Sequence, residues 1–206
     1  QEHVVSVFDI RGCSFDTTIF INQPPPVEVI LPAEIEVQLG DSIRLRPDVF
    51  SVVPIDDSTI VWTPNEFLST TRELNPIIRP FDSREYTLTL ADINGCTGEA
   101  SIFVDVDKKR NVYIPNVIAP NSIRNSRFEI QTGPGVRKVN FMRIYERWGS
   151  LIYELDEAGP SIGGIGDWDG TFRGQKLPSA TYVYIMEVEF EDNQKLLYRG
   201  DVTIVY

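Results

Sequence analysis

A segment near the start of the chain returns further along it. Glu2-His3-Val4-Val5-Ser6-Val7-Phe8-Asp9-Ile10-Arg11-Gly12-Cys13 lines up with Glu85-Tyr86-Thr87-Leu88-Thr89-Leu90-Ala91-Asp92-Ile93-Asn94-Gly95-Cys96 at an offset of 83 residues. Ile19-Phe20-Ile21 falls on Ile102-Phe103-Val104 at the same offset. Both copies read as an alternating strand, an Asp-x-x-Gly turn, a cysteine and a second alternating strand. A period of two calls for a sheet with one buried face, and Gly supplies the positive φ of the turn. Recurrence at a fixed spacing marks an array of similar units. Residues 1–24 are therefore expected to be the last two strands of a preceding repeat. Residues 1–9 alternate like a strand and show no basic start leading into an apolar core, so they do not read as a secretory leader.

Pro24-Pro25-Pro26 is a stiff spacer, and residues 1–26 form the hairpin plus linker. Residues 27–106 follow as a series of short strands, near 34–39, 42–46, 59–63, 74–79, 85–91 and 99–106, with Gly, Pro, Asp and Asn between them. No stretch of ten or more residues keeps a helical apolar period. Trp62 and the Tyr86-x-Leu88-x-Leu90 strand suit an immunoglobulin-like sandwich. Residues 107–110 make a short charged linker. Residues 111–206 carry strands near 112–114, 127–131, 138–146, 150–154, 181–190 and 195–206, and are expected to form another sandwich. The fold class predicted is all-β: tandem immunoglobulin-like β-sandwiches.

Charge is distributed unevenly. Of 30 acids and 19 bases, residues 27–106 hold 14 acids and five bases, whereas residues 107–206 hold 13 of each. An acidic first half argues against nucleic acid as a partner, since phosphate binding draws its affinity from Lys and Arg. No apolar run approaches the roughly 20 residues of a membrane-spanning helix, so the chain is not expected to be membrane-spanning. Two cysteines and one histidine provide no Cys/His set for zinc. His3 is the one available imidazole base, and it is badly placed for a triad. Asp167 and Asp169 offer two carboxylates, but Asp-x-Asp-Gly is an ordinary turn sequence. Asp56-Asp57 and the Asp92/Asn94 pair likewise read as turn bonds rather than a cation site. Catalytic, cofactor and metal residues are expected to be none. Cys13 and Cys96 occupy equivalent turns a full repeat apart, beyond the ~7 Å a disulfide tolerates.

Four patterns mark residues 111–206: Tyr113-Ile-Pro115-Asn116-Val-Ile-Ala-Pro120-Asn121; Tyr145-Glu-Arg147-Trp148-Gly149-Ser-Leu151; Trp168-Asp169-Gly170-Thr171-Phe-Arg-Gly174 with Tyr182-Val-Tyr184 beyond it; and Arg199-Gly200-Asp-Val202-Thr203. In this order and spacing they resemble the gliding motility-associated C-terminal domain, the type B sorting domain of the type IX secretion system of Bacteroidota. Residues 27–106 resemble the PKD/Ig-like repeats of bacterial surface proteins. The resemblance implies an address rather than a catalyst. It implies partners in the type IX translocon and carrier proteins of the outer membrane, with a PorP/SprF-like protein as anchor. It also implies secretion through the outer membrane, retention at the cell surface, a stalk role for the Ig-like repeats and a gliding or adhesin role for the whole.

The recognition positions implied are Arg147, Trp148, Gly149, Trp168, Asp169, Gly170 and Gly174. Each has a conformational or packing alternative: the glycines as turn residues, the tryptophans as core, and Arg147 paired with Asp169 or Asp167. After Pro120-Asn121 the chain departs from the family's aspartate-rich loop, which removes hard oxygen ligands for calcium. A second reading is a carbohydrate-binding accessory region of a polysaccharide-degrading enzyme, which requires Trp148 and Trp168 exposed and coplanar. The closing strand, free of charge after Asp201, is expected to be an edge that a partner covers.

Overall fold

The computed structural model describes residues 2–20, 25–160 and 164–206. Ile21 and Pro24, which entered the repeat and the spacer above, lie outside the described residues. Among those described, the one helical element is the 3-10 turn Asp57–Thr59, and the rest of the regular structure is strand.

The first unit is the antiparallel hairpin of β1 (Glu2–Phe8) and β2 (Ser14–Phe20), in register from Glu2 opposite Phe20 to Phe8 opposite Ser14. Every residue from 2 to 20 is exposed, Val5, Val7, Phe8, Phe15 and Phe20 included. Its turn is held by Asp9, whose carboxylate accepts the amides of Arg11 (2.8 Å) and Cys13 (2.9 Å).

The second unit comprises β3 (Glu28–Ile30), β4 (Glu34–Gln38), β5 (Ile43–Arg44), β6 (Asp48–Phe50), β7 (Val61–Thr63), β8 (Ile77–Ile78), β9 (Arg84–Ala91) and β10 (Thr97–Asp107). Its main sheet runs β4-β10-β9-β7, with β4 parallel to β10, and β3-β6 and β5-β8 pair separately. Alternation does what period two requires: Tyr86, Leu88 and Leu90 of β9 and Ile102 and Val104 of β10 are buried around Trp62. Two buried polar tips find partners, Trp62 Nε1 donating to the Glu73 carbonyl (3.0 Å) and Tyr86 Oη to that of Glu66 (2.9 Å). The β9-β10 turn repeats the first hairpin: Asp92 accepts the amides of Asn94 and Cys96, both at 2.9 Å. Gly95 has φ +83° where Gly12 has +85°. The repeat legible in the sequence is thus a repeat of hydrogen bonds.

The third unit comprises β11 (Val112–Tyr113), β12 (Val117–Ile118), β13 (Phe128–Thr132), β14 (Val136–Tyr145), β15 (Leu151–Ala158), β16 (Ile165–Trp168), β17 (Thr171–Phe172), β18 (Gln175–Lys176), β19 (Thr181–Phe190) and β20 (Lys195–Ile204). A five-stranded sheet ordered β12-β20-β19-β14-β15 packs on a three-stranded sheet ordered β11-β13-β16. Phe128, Met142, Ile144, Trp168, Tyr184, Met186, Phe190 and Ile204 fill the space between them. Glu189 is drawn in with its neighbours, at 8% exposure, where bulges in β14 shift the β14-β19 register. The architecture is all-β, two immunoglobulin-like sandwiches in tandem.

The closing strand departs from the expectation of an open edge. Thr203 N donates to Asn116 O (2.9 Å) and Val205 N to Ile118 O (3.0 Å), while Ile204 N donates to Ala180 O (3.0 Å) on the other flank. The two-residue strand β12 runs parallel to β20 and covers its last residues. A strand so short leaves no alternation to read, which is why the sequence suggested an open edge.

Candidate functional site

Strand register decides which loops meet. β14 runs from Val136, opposite Phe190, to Tyr145, opposite Val183, and β19 begins with Thr181 opposite Thr203. The turn at 146–150, the segment 169–180 and residues 203–206 therefore gather at one end of the C-terminal sandwich. Gly135, Phe190 and Glu191 stand at the other, where the upstream sandwich packs. Tyr182 Oη donates to Pro178 O (3.0 Å) and Tyr206 Oη to Leu177 O (2.7 Å) at this end, and burial raises the Tyr182 hydroxyl pKa, with further upward pushes from Tyr206 and Glu146. The loop after β12 joins them through Lys176 Nζ and Asn121 Oδ1, 3.4 Å apart. The first three family motifs each send a segment to this free pole, and the fourth leads into residues 203–206 there.

Arg147, Trp148 and Gly149 form the tip of the β14-β15 turn. Glu146 N donates to Ser150 O (3.0 Å) and Gly149 N to Glu146 O (2.9 Å), and Gly149 takes φ +87°, a left-handed conformation that glycine adopts without a Cβ clash. No packing draws Trp148 inward, and it is 82% exposed. The Arg147 guanidinium lies 5.2 Å from the centre of its ring.

The other four positions do different work. Trp168 is 2% exposed, its ring edge-on to Tyr182 at 5.5 Å and its Nε1 donating to Thr171 O (3.0 Å). Asp169 accepts the Thr171 hydroxyl (2.7 Å) and amide (3.0 Å), bonds that hold its carboxyl below the usual range. Gly170 is packed so closely that a Cβ would stand 3.2 Å from Ile204 Cδ1 and from Pro120 Cγ. Gly174 turns β17 into β18 and faces open space. The structure thus separates an exposed tip, Arg147 to Gly149, from a packed scaffold, Trp168 to Gly170. The pairing weighed for Arg147 is not made. Asp167 pairs with Arg127 instead, because β16 and β13 are neighbours in the three-stranded sheet whereas Arg147 tips the five-stranded one.

The sugar-stacking reading required Trp148 and Trp168 on one exposed face, and only Trp148 reaches solvent. Two residues at the pole were missed. Arg173 lies 5.1 Å from the centre of the Phe172 ring, and Lys176 Nζ lies 5.3 Å from that of Tyr206. The Phe172-Arg173 neighbourhood was visible in the sequence, but the Lys176-Tyr206 pair exists only through folding. No group of three His, Cys, Asp or Glu among the described residues is placed to hold a metal ion.

Residues 112–204 match the family model described as CHU_C Type IX secretion signal domain. No curated protein matches the chain. Among solved structures, dimeric latent PorU from Porphyromonas gingivalis is similar at 16% identity and a TM-score of 0.31, covering 99% of this chain and 24% of that one. This chain thus spans about a quarter of the PorU chain. Sidekick-1 immunoglobulin domains 1-5 match at 9% identity and a TM-score of 0.48, covering 94% and 42%. The fibronectin(III)-like modules of Clostridium thermocellum CbhA match at 15% identity and a TM-score of 0.29, covering 86% and 92%. These structural likenesses concern the fold alone.

Proposed function

We propose that this chain, whose residues 112–204 match the type IX secretion signal family, belongs to a protein exported across the outer membrane and held at the cell surface. The C-terminal sandwich is the address, and a PorP/SprF-like protein is its anchor. The observation that carries this reading is the family match over a single sandwich whose motifs meet at one pole. The upstream Ig-like sandwich and the β1-β2 hairpin act as a stalk. Supporting that role, the hairpin reproduces the Asp-x-x-Gly-Cys turn of β9-β10 while leaving its apolar side chains uncovered, the form of a closing hairpin in a further repeat. A non-enzymatic role in gliding or adhesion completes the proposal.

The test is to express residues 1–206 behind a secretory leader in type IX-competent cells and in translocon-deficient sister cells. The expected result is protease-accessible protein at the surface of the first and periplasmic retention in the second. Equal distribution in both would refute the address.

A further inference from the structure

We propose that the free pole of the C-terminal sandwich docks on a carboxylate-rich protein surface, with Arg147, Arg173 and Lys176 as its charged contacts and Trp148 and Tyr206 as its apolar ones. This deepens the export reading, and rests on it only for placing the partner in the export machinery.

Arg127, Arg137, Lys138, Arg143 and Lys195 each pair with a carboxylate of the chain itself, while the exposed Arg124 and Arg199 pair with none among the described residues. Arg147, Arg173 and Lys176 pair with none among the described residues. Each instead lies over an aromatic ring: Trp148, Phe172 and Tyr206 respectively. A ring orients a cation at exposed sites and leaves its charge uncancelled. All three cations are exposed, on two separate turns of one pole, with Trp148 at 82% and Tyr206 at 50% exposure beside them. Arg, Trp and Tyr together are the composition of an interface hot spot, where an apolar body excludes water around a charged contact.

A protein surface fits better than a uniform anionic sheet. Glu146, Asp169 and Asp201 lie among or beside these loops. The Asp169 carboxylate is committed to Thr171, but the other two would repel a continuous array of phosphates. A folded partner places its carboxylates opposite the cations and leaves the acids facing water.

Trp148 supplies the readout, since Trp62 and Trp168 are 1% and 2% exposed. The full chain is titrated with an oligoglutamate peptide while tryptophan emission is followed, with oligolysine and anionic phospholipid or lipopolysaccharide vesicles as the other arms. The expected result is a salt-sensitive emission shift with oligoglutamate alone. Arg147→Glu/Arg173→Glu/Lys176→Glu should weaken it about tenfold or more, while Arg147→Lys/Arg173→Lys retains it. Unchanged unfolding of the Glu variant guards against misfolding. No response to oligoglutamate, or a response to vesicles in its place, overturns the proposal. The same variants are compared for surface delivery. A wild-type chain that binds oligoglutamate but is not exported sinks the export reading while leaving the docking surface standing.

Discussion

Leu39 of the upstream sandwich is buried completely against Gly135 of the C-terminal one, within the cluster that includes Val136 and Phe190. A Cβ at Gly135 would stand 2.9 Å from the Leu39 carbonyl oxygen and 3.2 Å from its Cγ, so the approach requires glycine. Leu39 N donates to Asp107 O (2.9 Å), which extends the β4-β10 ladder to the joint. Arg79 ties both sides, its Nε donating to Gly40 O (3.2 Å) and its Nη2 pairing with Glu191 (2.8 Å). Residues 107–110 are therefore part of a packed joint: Lys108 reaches Asp82 (2.6 Å) and Asp192 (3.8 Å), and Arg110 pairs with Asp192 over the Phe190 ring.

Leu39→Ala should accordingly destabilise the sandwich in which Leu39 is not encoded. The lost contacts and the cavity cost about 2–5 kcal/mol. Denaturant unfolding in a Trp148→Phe background separates the two sandwiches, with Trp62 reporting on one and Trp168 on the other. The Trp168 transition should move to lower denaturant and the Trp62 transition should stay. The reverse order would contradict the joint as described.

The two tryptophans beside the turns of the C-terminal sandwich should respond oppositely. Trp168→Ala opens a cavity between the sheets and costs about 3–5 kcal/mol. Trp148→Ala removes an exposed ring and should change stability by no more than about 0.5 kcal/mol. Thermal melts of the single variants check this directly.

Asp9 and Asp92 make the same pair of amide bonds in different surroundings. Asp92 is 5% exposed, so Asp92→Ala leaves two turn amides short of a partner where water is scarce, at about 1–3 kcal/mol. At Asp9 water replaces the carboxylate, and Asp9→Ala should leave stability nearly unchanged. Equal losses in the two would show that burial is not what separates them.

Stability should fall at both ends of the pH scale. Hydrogen bonds from Thr171 lower the Asp169 pKa from 3.8, so its contribution is present above that value and disappears as pH falls through the lower folded value. Burial raises Tyr86, Tyr153, Tyr182, Tyr184 and Tyr198 above 10.0. Above pH 10 the unfolded chain then binds fewer protons than the folded one, and stability declines as pH rises toward the folded values. In an alkaline titration, phenolate absorbance from the buried Tyr86, Tyr182 and Tyr184 should appear with unfolding, whereas the half-buried Tyr153 and Tyr198 should ionise later than free tyrosine. Ionisation of the first three in the intact fold would contradict their burial.

Much of the fold was legible because a strand carries its burial code within a few residues. Tyr86, Leu88 and Leu90 face inward and Thr87 and Thr89 do not, whatever lies across the core. The Asp-x-x-Gly-Cys turn closes on its own amides, and the Arg147-Trp148-Gly149 tip closes between Glu146 and Ser150. Such local features need no knowledge of the distant chain. What alternation leaves open is the identity of the surface that covers a face. Trp148 and Trp168 each stand within two residues of a turn glycine, yet one projects into water and the other lies under Tyr182, because only β16 is roofed by the five-stranded sheet. Lys176 meets Tyr206, β12 seals β20, and Leu39 enters a core built by residues beyond 105, through contacts between segments far apart in the chain. Hydrophobic burial is non-directional, so sequence specifies which side chains must leave water, while tertiary packing decides against which neighbours they do so.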